Sequence, residues 1–150
     1  MTDPLYRKEV LRLAADAHGA GHLTAPDATG SAHNPACGDK VSVELDIENG
    51  RIAALAHDTK ACILAQASAS ILGRALEGKS RAQIRGLRGD IQAMLRGQSA
   101  PPAGFEEFSA FEGVREHTKR HACVLLPFDA VLNALEGLEP SEPGSVGTKT

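Results

Sequence analysis

Tryptophan is absent from this chain, and only one tyrosine and four phenylalanines occur among its 150 residues. A core therefore has to be assembled from Leu, Ile, Val and Ala. Basic charge is not in excess either: the formal net charge is −3, which argues against general nucleic-acid binding. No apolar run approaches the roughly 18–20 residues of a membrane span, so none is expected. Met1-Thr2-Asp3-Pro4 begins polar and turns amphipathic, unlike a signal peptide. Cysteine is scarce. Three residues, Cys37, Cys62 and Cys123, sit far apart with no C-x-x-C pair. An odd, sparse set is not a secreted disulfide framework. It fits reduced thiols in a cytoplasm, serving as ligands, nucleophiles or buried apolar residues. No Ser-His-Asp grouping is readable, and no internal repeat.

What is present reads as one domain over residues 1–137, long enough to bury a real core. From Leu138 on, a run of Glu, Pro, Ser, Gly and Thr reads as a disordered tail, 138–150. Asp3 and Pro4 suit the cap and first position of a helix. Its apolar stripe is Tyr6, Val10, Leu13, Ala14 and Ala17, and Gly19 and Gly21 end it. His22 to His33 is polar, with only a weak edge strand. Lys40 to Glu48 alternates, with Val41, Val43, Leu45 and Ile47 on one side and charged or polar residues on the other. That is a half-buried strand. Asn49-Gly50 predicts a hairpin, so Arg51 to His57 returns antiparallel.

Cys62 to Glu77 predicts a helix with Ile63, Leu64, Ala67, Ile71, Ala75 and Leu76 inward. Ser80 to Gln83 fits a capping box opening a second helix, interrupted at Gly86 and Gly89, with Asp90 capping a further short piece. Phe105, Phe108 and Phe111 recur at three-residue spacing, as in one short helix docked on the core. A final helix is expected from His121 to Leu135. Pro127 is best tolerated near a helix start, which places Cys123 at or just before the N-terminus. The expected class is α+β: a small antiparallel sheet with helices packed on one face.

The turn His33-Asn34-Pro35-Ala36-Cys37-Gly38-Asp39-Lys40 is the chemical focus. Asn-Pro initiates a turn, and residues two apart in extended chain point the same way. Cys37 and Asp39 can therefore converge. With Cys62 and Cys123 they offer three sulfurs and one oxygen, suiting a four-coordinate zinc or one side of an iron–sulfur cluster. Cys62 and Cys123 at helix starts would favour thiolates. The bland readings are buried structural cysteines and an Asp39 that satisfies its own turn. His121 is either an alternative ligand or a local cap. His33 and His57 read as loop or sheet-end residues. Ser68 and Ser70 read as small residues for close helix packing. Arg81, Arg85, Arg88 and Arg96 read as a solvated face or a surface for an acidic partner.

Several of these stretches, in order, carry a family resemblance. They are Asn34-Pro35-Ala36-Cys37-Gly38-Asp39, Ala61-Cys62-Ile63 followed by Ala67-Ser68-Ala69-Ser70, then Gly78-Lys79-Ser80, and Cys123 ahead of Leu125-Leu126-Pro127-Phe128. The chain resembles the scaffold proteins of iron–sulfur cluster assembly, the IscU and SufU group or NifU N-terminal domain family, from Leu5 to about Leu135. The resemblance implies Cys37, Asp39, Cys62 and Cys123 as ligands of a transient [2Fe-2S] cluster or of Zn2+. It implies Cys123 as persulfide acceptor, with Cys37 as its competitor. The implied partners are a cysteine desulfurase of the SufS/IscS kind and recipient apoproteins or cluster carriers. Such a protein is a cytoplasmic scaffold or carrier with at most zinc-dependent sulfurtransferase character. The sixty-one positions from Cys62 to Cys123 include the Pro101 loop and the Phe105–Phe111 segment, which resembles the SufU type. The IscU group's Leu-Pro-Pro-Val-Lys motif is absent, and Ala122 stands where that group has histidine before its third cysteine. Two readings from other classes stand beside this one: a structural-zinc protein with no sulfur-carrier role, and a cysteine-dependent hydrolase.

Overall fold

A computed structural model describes residues 8–35 and 38–138. Four α-helices, one 3-10 helix and three strands are seen among the described residues. The strands form one antiparallel sheet in the order β1 (Ala28–Asn34), β2 (Asp39–Glu48), β3 (Arg51–Lys60). β2 follows its alternation, burying Val41, Val43 and Leu45 while Lys40 stays exposed. Asn49 and Gly50 have φ of 55° and 76°, the left-handed pair a two-residue hairpin turn needs. One register shift falls at Asp46/Ile47. β3 continues past the expected His57, pairing Thr59 with Val41 and Lys60 with Lys40. This extension delivers the chain to the end of the sheet where β2 begins.

The weakly patterned early strand is real. β1 pairs with β2 from Ala28↔Leu45 to Asn34↔Asp39 and lies under the last helix. Gly30 makes that approach possible, since a Cβ there would stand 2.4 Å from the Ala134 nitrogen. The side chain of Asn133 also donates to the Ser31 carbonyl at 2.8 Å.

Helix α1 (Lys8–Asp16) buries Val10, Leu13 and Ala14 against α2 (Ile63–Ala75). Its predicted cap at Asp3 lies outside the described residues. Ala17, expected on its stripe, falls just beyond it with φ 46°. The small residues of α2 allow burial on nearly all sides, including Leu64, Ala65, Ala67, Ser68, Ala69, Ser70, Ile71 and Leu72. Ile63, expected inward, is 37% exposed because it opens the helix at its free end. Near the other end, His18 N–H donates to Ser70 Oγ at 3.0 Å.

Helix α3 (Arg81–Leu95) has its capping box at Ser80 and Gln83. It runs unbroken through Gly86 and Gly89, contrary to the predicted interruption. Both glycines are exposed, and each costs a helix only about 1 kcal/mol, while Ile84, Ile91, Met94 and Leu95 are buried. The phenylalanines flank and enter a 3-10 helix, Glu106–Val114, whose three-residue period stacks them on one side. Phe108 sits 5.5 Å from Phe111 and 5.8 Å from Phe128 between ring centroids.

Helix α4 (Thr118–Leu138) starts earlier than expected and carries Pro127 in its interior. It lies over β1 and β2, α2 lies beside it over β3, and α1 and α3 flank the pair. The tail expected to be disordered falls, beyond Leu138, outside the described residues. His57, expected in a loop or at a sheet end, lies within β3 and is buried. Its Nε2 donates to the His18 carbonyl at 3.0 Å, and its Nδ1 is 2.9 Å from the Thr59 hydroxyl. Burial pushes its pKa below the usual value. No helix among the described residues is long and apolar enough to cross a membrane.

The Gly30 contact is testable. Gly30→Ala forces α4 off β1 and should lower unfolding stability by about 1–3 kcal/mol. Gly86→Ala, on an exposed helix face, should raise it by up to about 1 kcal/mol. Urea titrations of both variants check the opposite signs, and an unchanged Gly30→Ala would contradict the packing.

Candidate metal centre

β2 begins with Asp39, β3 ends at Lys60, and Cys62 follows two residues later as the N-cap of α2. The sheet thus brings two residues far apart in sequence to one end. A hydrogen bond locks them: Cys62 N–H donates to Asp39 Oδ1 at 3.1 Å. Cys62 holds an extended conformation, φ −64° and ψ 168°, the usual geometry of an N-cap. Gln66, one turn on, donates its side-chain amide to the Ala61 carbonyl at 2.9 Å. The sequence reading passed over Gln66; a glutamine four residues after a helix-capping cysteine was the available signal.

Cys123 comes in from α4. Among the described residues, Asp39, Cys62 and Cys123 each offer a ligand atom, and these atoms lie within 4.8 Å of one another. Asp39 is 6% exposed and Cys123 1%, whereas Cys62 is half-buried. The second oxygen, Asp39 Oδ2, is buried with no hydrogen-bond partner among the described residues. A buried carboxylate oxygen in that state is costly, and a cation would satisfy it. Two sulfurs and a carboxylate are ordinary donors for zinc or for cluster iron. The donor set fits such a group.

Cys37 lies outside the described residues. The residues beside it form the β1–β2 turn, in which Gly38 N–H donates to the Asn34 carbonyl at 2.8 Å and Gly38 has φ 75°. Cys123 differs from its predicted place. It is in the body of α4, so the helix-terminus argument for a thiolate applies to Cys62 alone. His121, weighed as ligand or cap, is a cap. Its Nε2 lies 3.1 Å from the Val114 carbonyl and 3.0 Å from the Arg115 carbonyl, at the end of the 3-10 helix.

The Cys62 thiol has its pKa lowered, first by a hydrogen bond from the Cys123 side chain. The Ala65 N–H in the first turn of α2 acts in the same direction. Burial and the Asp39 carboxylate oppose both. A lowered pKa means that the thiolate forms at lower pH than in a free cysteine.

Comparison with known proteins places the chain in a family. The NifU-like N terminal domain model matches residues 5–123. The chain belongs to that family. A crystal structure of a NifU-like protein (N-terminal) from Brucella abortus superposes with a TM-score of 0.84 at 36% identity, covering 91% of this chain and 95% of that one. The iron-sulfur cluster assembly scaffold protein IscU of Streptococcus pyogenes serotype M1 is 27% identical over 133 residues, 88% of this chain and 83% of that protein. The protein of the same name from Thermotoga maritima is 22% identical over 132 residues, 88% and 93% respectively. The α+β fold expected from the sequence is the family's fold.

The lowered Cys62 pKa predicts a displaced alkylation profile. In metal-free Cys37→Ser protein, the iodoacetamide rate at Cys62 should rise at lower pH than for a free cysteine peptide. Adding Cys123→Ala removes the largest cause and should move the profile back up. Peptide mapping across a pH series measures both; coincident profiles would contradict the hydrogen bond.

Proposed function

We propose that this protein is an iron–sulfur cluster assembly scaffold and sulfur acceptor, working in the cytoplasm at a site made of Cys37, Asp39, Cys62 and Cys123. The observation that carries the reading is the buried Asp39 Oδ2, without a hydrogen-bond partner among the described residues, beside two cysteine sulfurs, in a chain of the NifU-like N terminal domain family. The cargo is sulfur and a transient [2Fe-2S] cluster. The sulfur comes from a cysteine desulfurase of the SufS/IscS kind, and recipient apoproteins or cluster carriers take the product. The segment between Cys62 and Cys123 favours the SufU type, and with it Zn2+ as a resident ion. Zinc, when bound, would supply charge that keeps the thiols deprotonated.

Sulfur acceptance is a thiol–persulfide exchange. The acceptor thiolate attacks the outer sulfur of the donor's Cys–S–SH. A new S–S bond forms on this chain, the donor S–S bond breaks, and its electron pair leaves on the donor thiolate. Cys123 is the acceptor proposed from the resemblance. Its burial requires the start of α4 to open for the donor, while half-buried Cys62 lies at the surface end of the same cluster. The rival role, zinc that only holds the fold, is disfavoured by the core. The buried side chains of Leu64, Ile71, Ile84, Phe108 and Phe128 belong to a continuous apolar interior that Cys123 joins at one point, so a metal is not needed to build one.

The test is transfer itself. The chain is incubated with a cysteine desulfurase and cysteine, and intact mass reports added sulfur on the native protein and on single Cys37→Ser, Cys62→Ser and Cys123→Ser variants. The proposal expects sulfur on the native chain and its loss in Cys123→Ser. Transfer that persists in Cys123→Ser and fails in Cys62→Ser would move the acceptor to Cys62. No added sulfur on any of them would contradict the carrier function.

A further inference from the structure

One buried hydroxyl joins the two sulfur-bearing helices. Ser68 on α2 donates from Oγ to the Val124 carbonyl of α4 at 2.6 Å, and Ser68 is fully buried. Val124 follows Cys123 directly, so the bond ties α2 to the peptide carrying the Cys123 side chain. The α4 ladder is weakened at the same place. Pro127 has no N–H to offer the carbonyl four residues before it, which is that of Cys123. A helix lacking that bond bends there readily. Ser68 grips the next carbonyl along. The neighbouring Ala65, Ala67 and Ala69 of α2 are buried as well, and their small side chains suit a close approach of α4.

An alanine at position 68 would fill the same apolar space without the need to satisfy a hydroxyl. A buried serine therefore earns its position through what it holds. Ser70, also fully buried, holds a different element, the His18 backbone. We propose that Ser68 is a positioning residue for the metal centre: its hydroxyl clamps the Pro127-weakened turn of α4 onto α2 and so sets the spacing of the Cys62 and Cys123 sulfurs. This inference deepens the metal-site reading and rests on it.

Co2+ is the probe, titrated anaerobically into the metal-free full chain and followed by its thiolate charge-transfer and ligand-field absorption. Ser68→Ala should stay folded by circular dichroism, bind Co2+ about 10–100-fold more weakly and show an altered ligand-field envelope. Ile91→Val, in the α3 core, should lower the denaturation midpoint while leaving cobalt affinity and spectrum unchanged. Ser68→Ala/Pro127→Ala regains the helical N–H and should recover much of the lost affinity. If Ser68→Ala alone does not fold, the double variant decides: cobalt bound near native affinity supports the clamp, and a folded double variant without it contradicts the clamp. Native-like affinity and spectrum in Ser68→Ala, or equal cobalt losses in Ser68→Ala and Ile91→Val, would overturn the positioning role. A native chain with no thiolate–cobalt absorption would overturn the metal-site reading itself.

Discussion

The hydrogen bond from Cys62 N–H to Asp39 Oδ1 joins the first residue of a strand to the cap of the central helix. Everything at the site depends on that junction. It requires β3 to run its full length beside β2, so that the chain returns to Asp39 before turning into α2. It also leaves the other carboxylate oxygen buried with no partner among the described residues. One oxygen of Asp39 thus joins strand to helix, and the other faces the two cysteine sulfurs' neighbourhood without such a bond among the described residues. An arrangement of this kind is stable in the folded state because the apolar core around α2 and α4 offsets its local cost.

Close helix packing is the second requirement, and small residues supply it. Gly30 lets α4 settle on β1. Gly73 lets the His18 backbone settle on α2, since a Cβ there would stand 2.4 Å from the His18 oxygen. Ala67, Ser68, Ala69 and Ser70 keep α2 slender enough to be buried on nearly all sides. With few aromatic residues to fill space, the phenylalanines are concentrated in one cluster around Phe108. That cluster meets α4 at Phe128, the residue after Pro127.

Elements whose signals are local were legible from the sequence. The alternation of β2, the Asn49-Gly50 turn and the Ser80–Gln83 capping box each depend on neighbours a few residues away, and each is present. The misjudged features are set by tertiary contact. β1 has little pattern of its own and exists because β2 pairs with it and α4 covers it. α3 survives two glycines because its buried stripe outweighs their propensity cost. α4 begins at Thr118, before its apolar stripe, and so absorbs Cys123 into the helix body. The cap position of Cys62 was readable from the sequence, and the fold brings Asp39, at the start of β2, and Cys123 beside it. The burial of Cys123 was not legible, since it follows from where α4 starts. Nor was Ser68 legible as a supporting group, because its partner is a backbone carbonyl of another helix that no side-chain pattern reveals.

The central claim is that the cysteines and Asp39 form one centre that holds metal. Its most direct test is the iron, zinc and acid-labile sulfide content of the chain purified without oxygen, alongside Asp39→Ala. The account predicts either iron with matching sulfide or about one zinc per chain in the native protein, and a changed content once the carboxylate is gone. Native and Asp39→Ala proteins that both carry no metal and no sulfide would contradict the shared site and return the cysteines to the core.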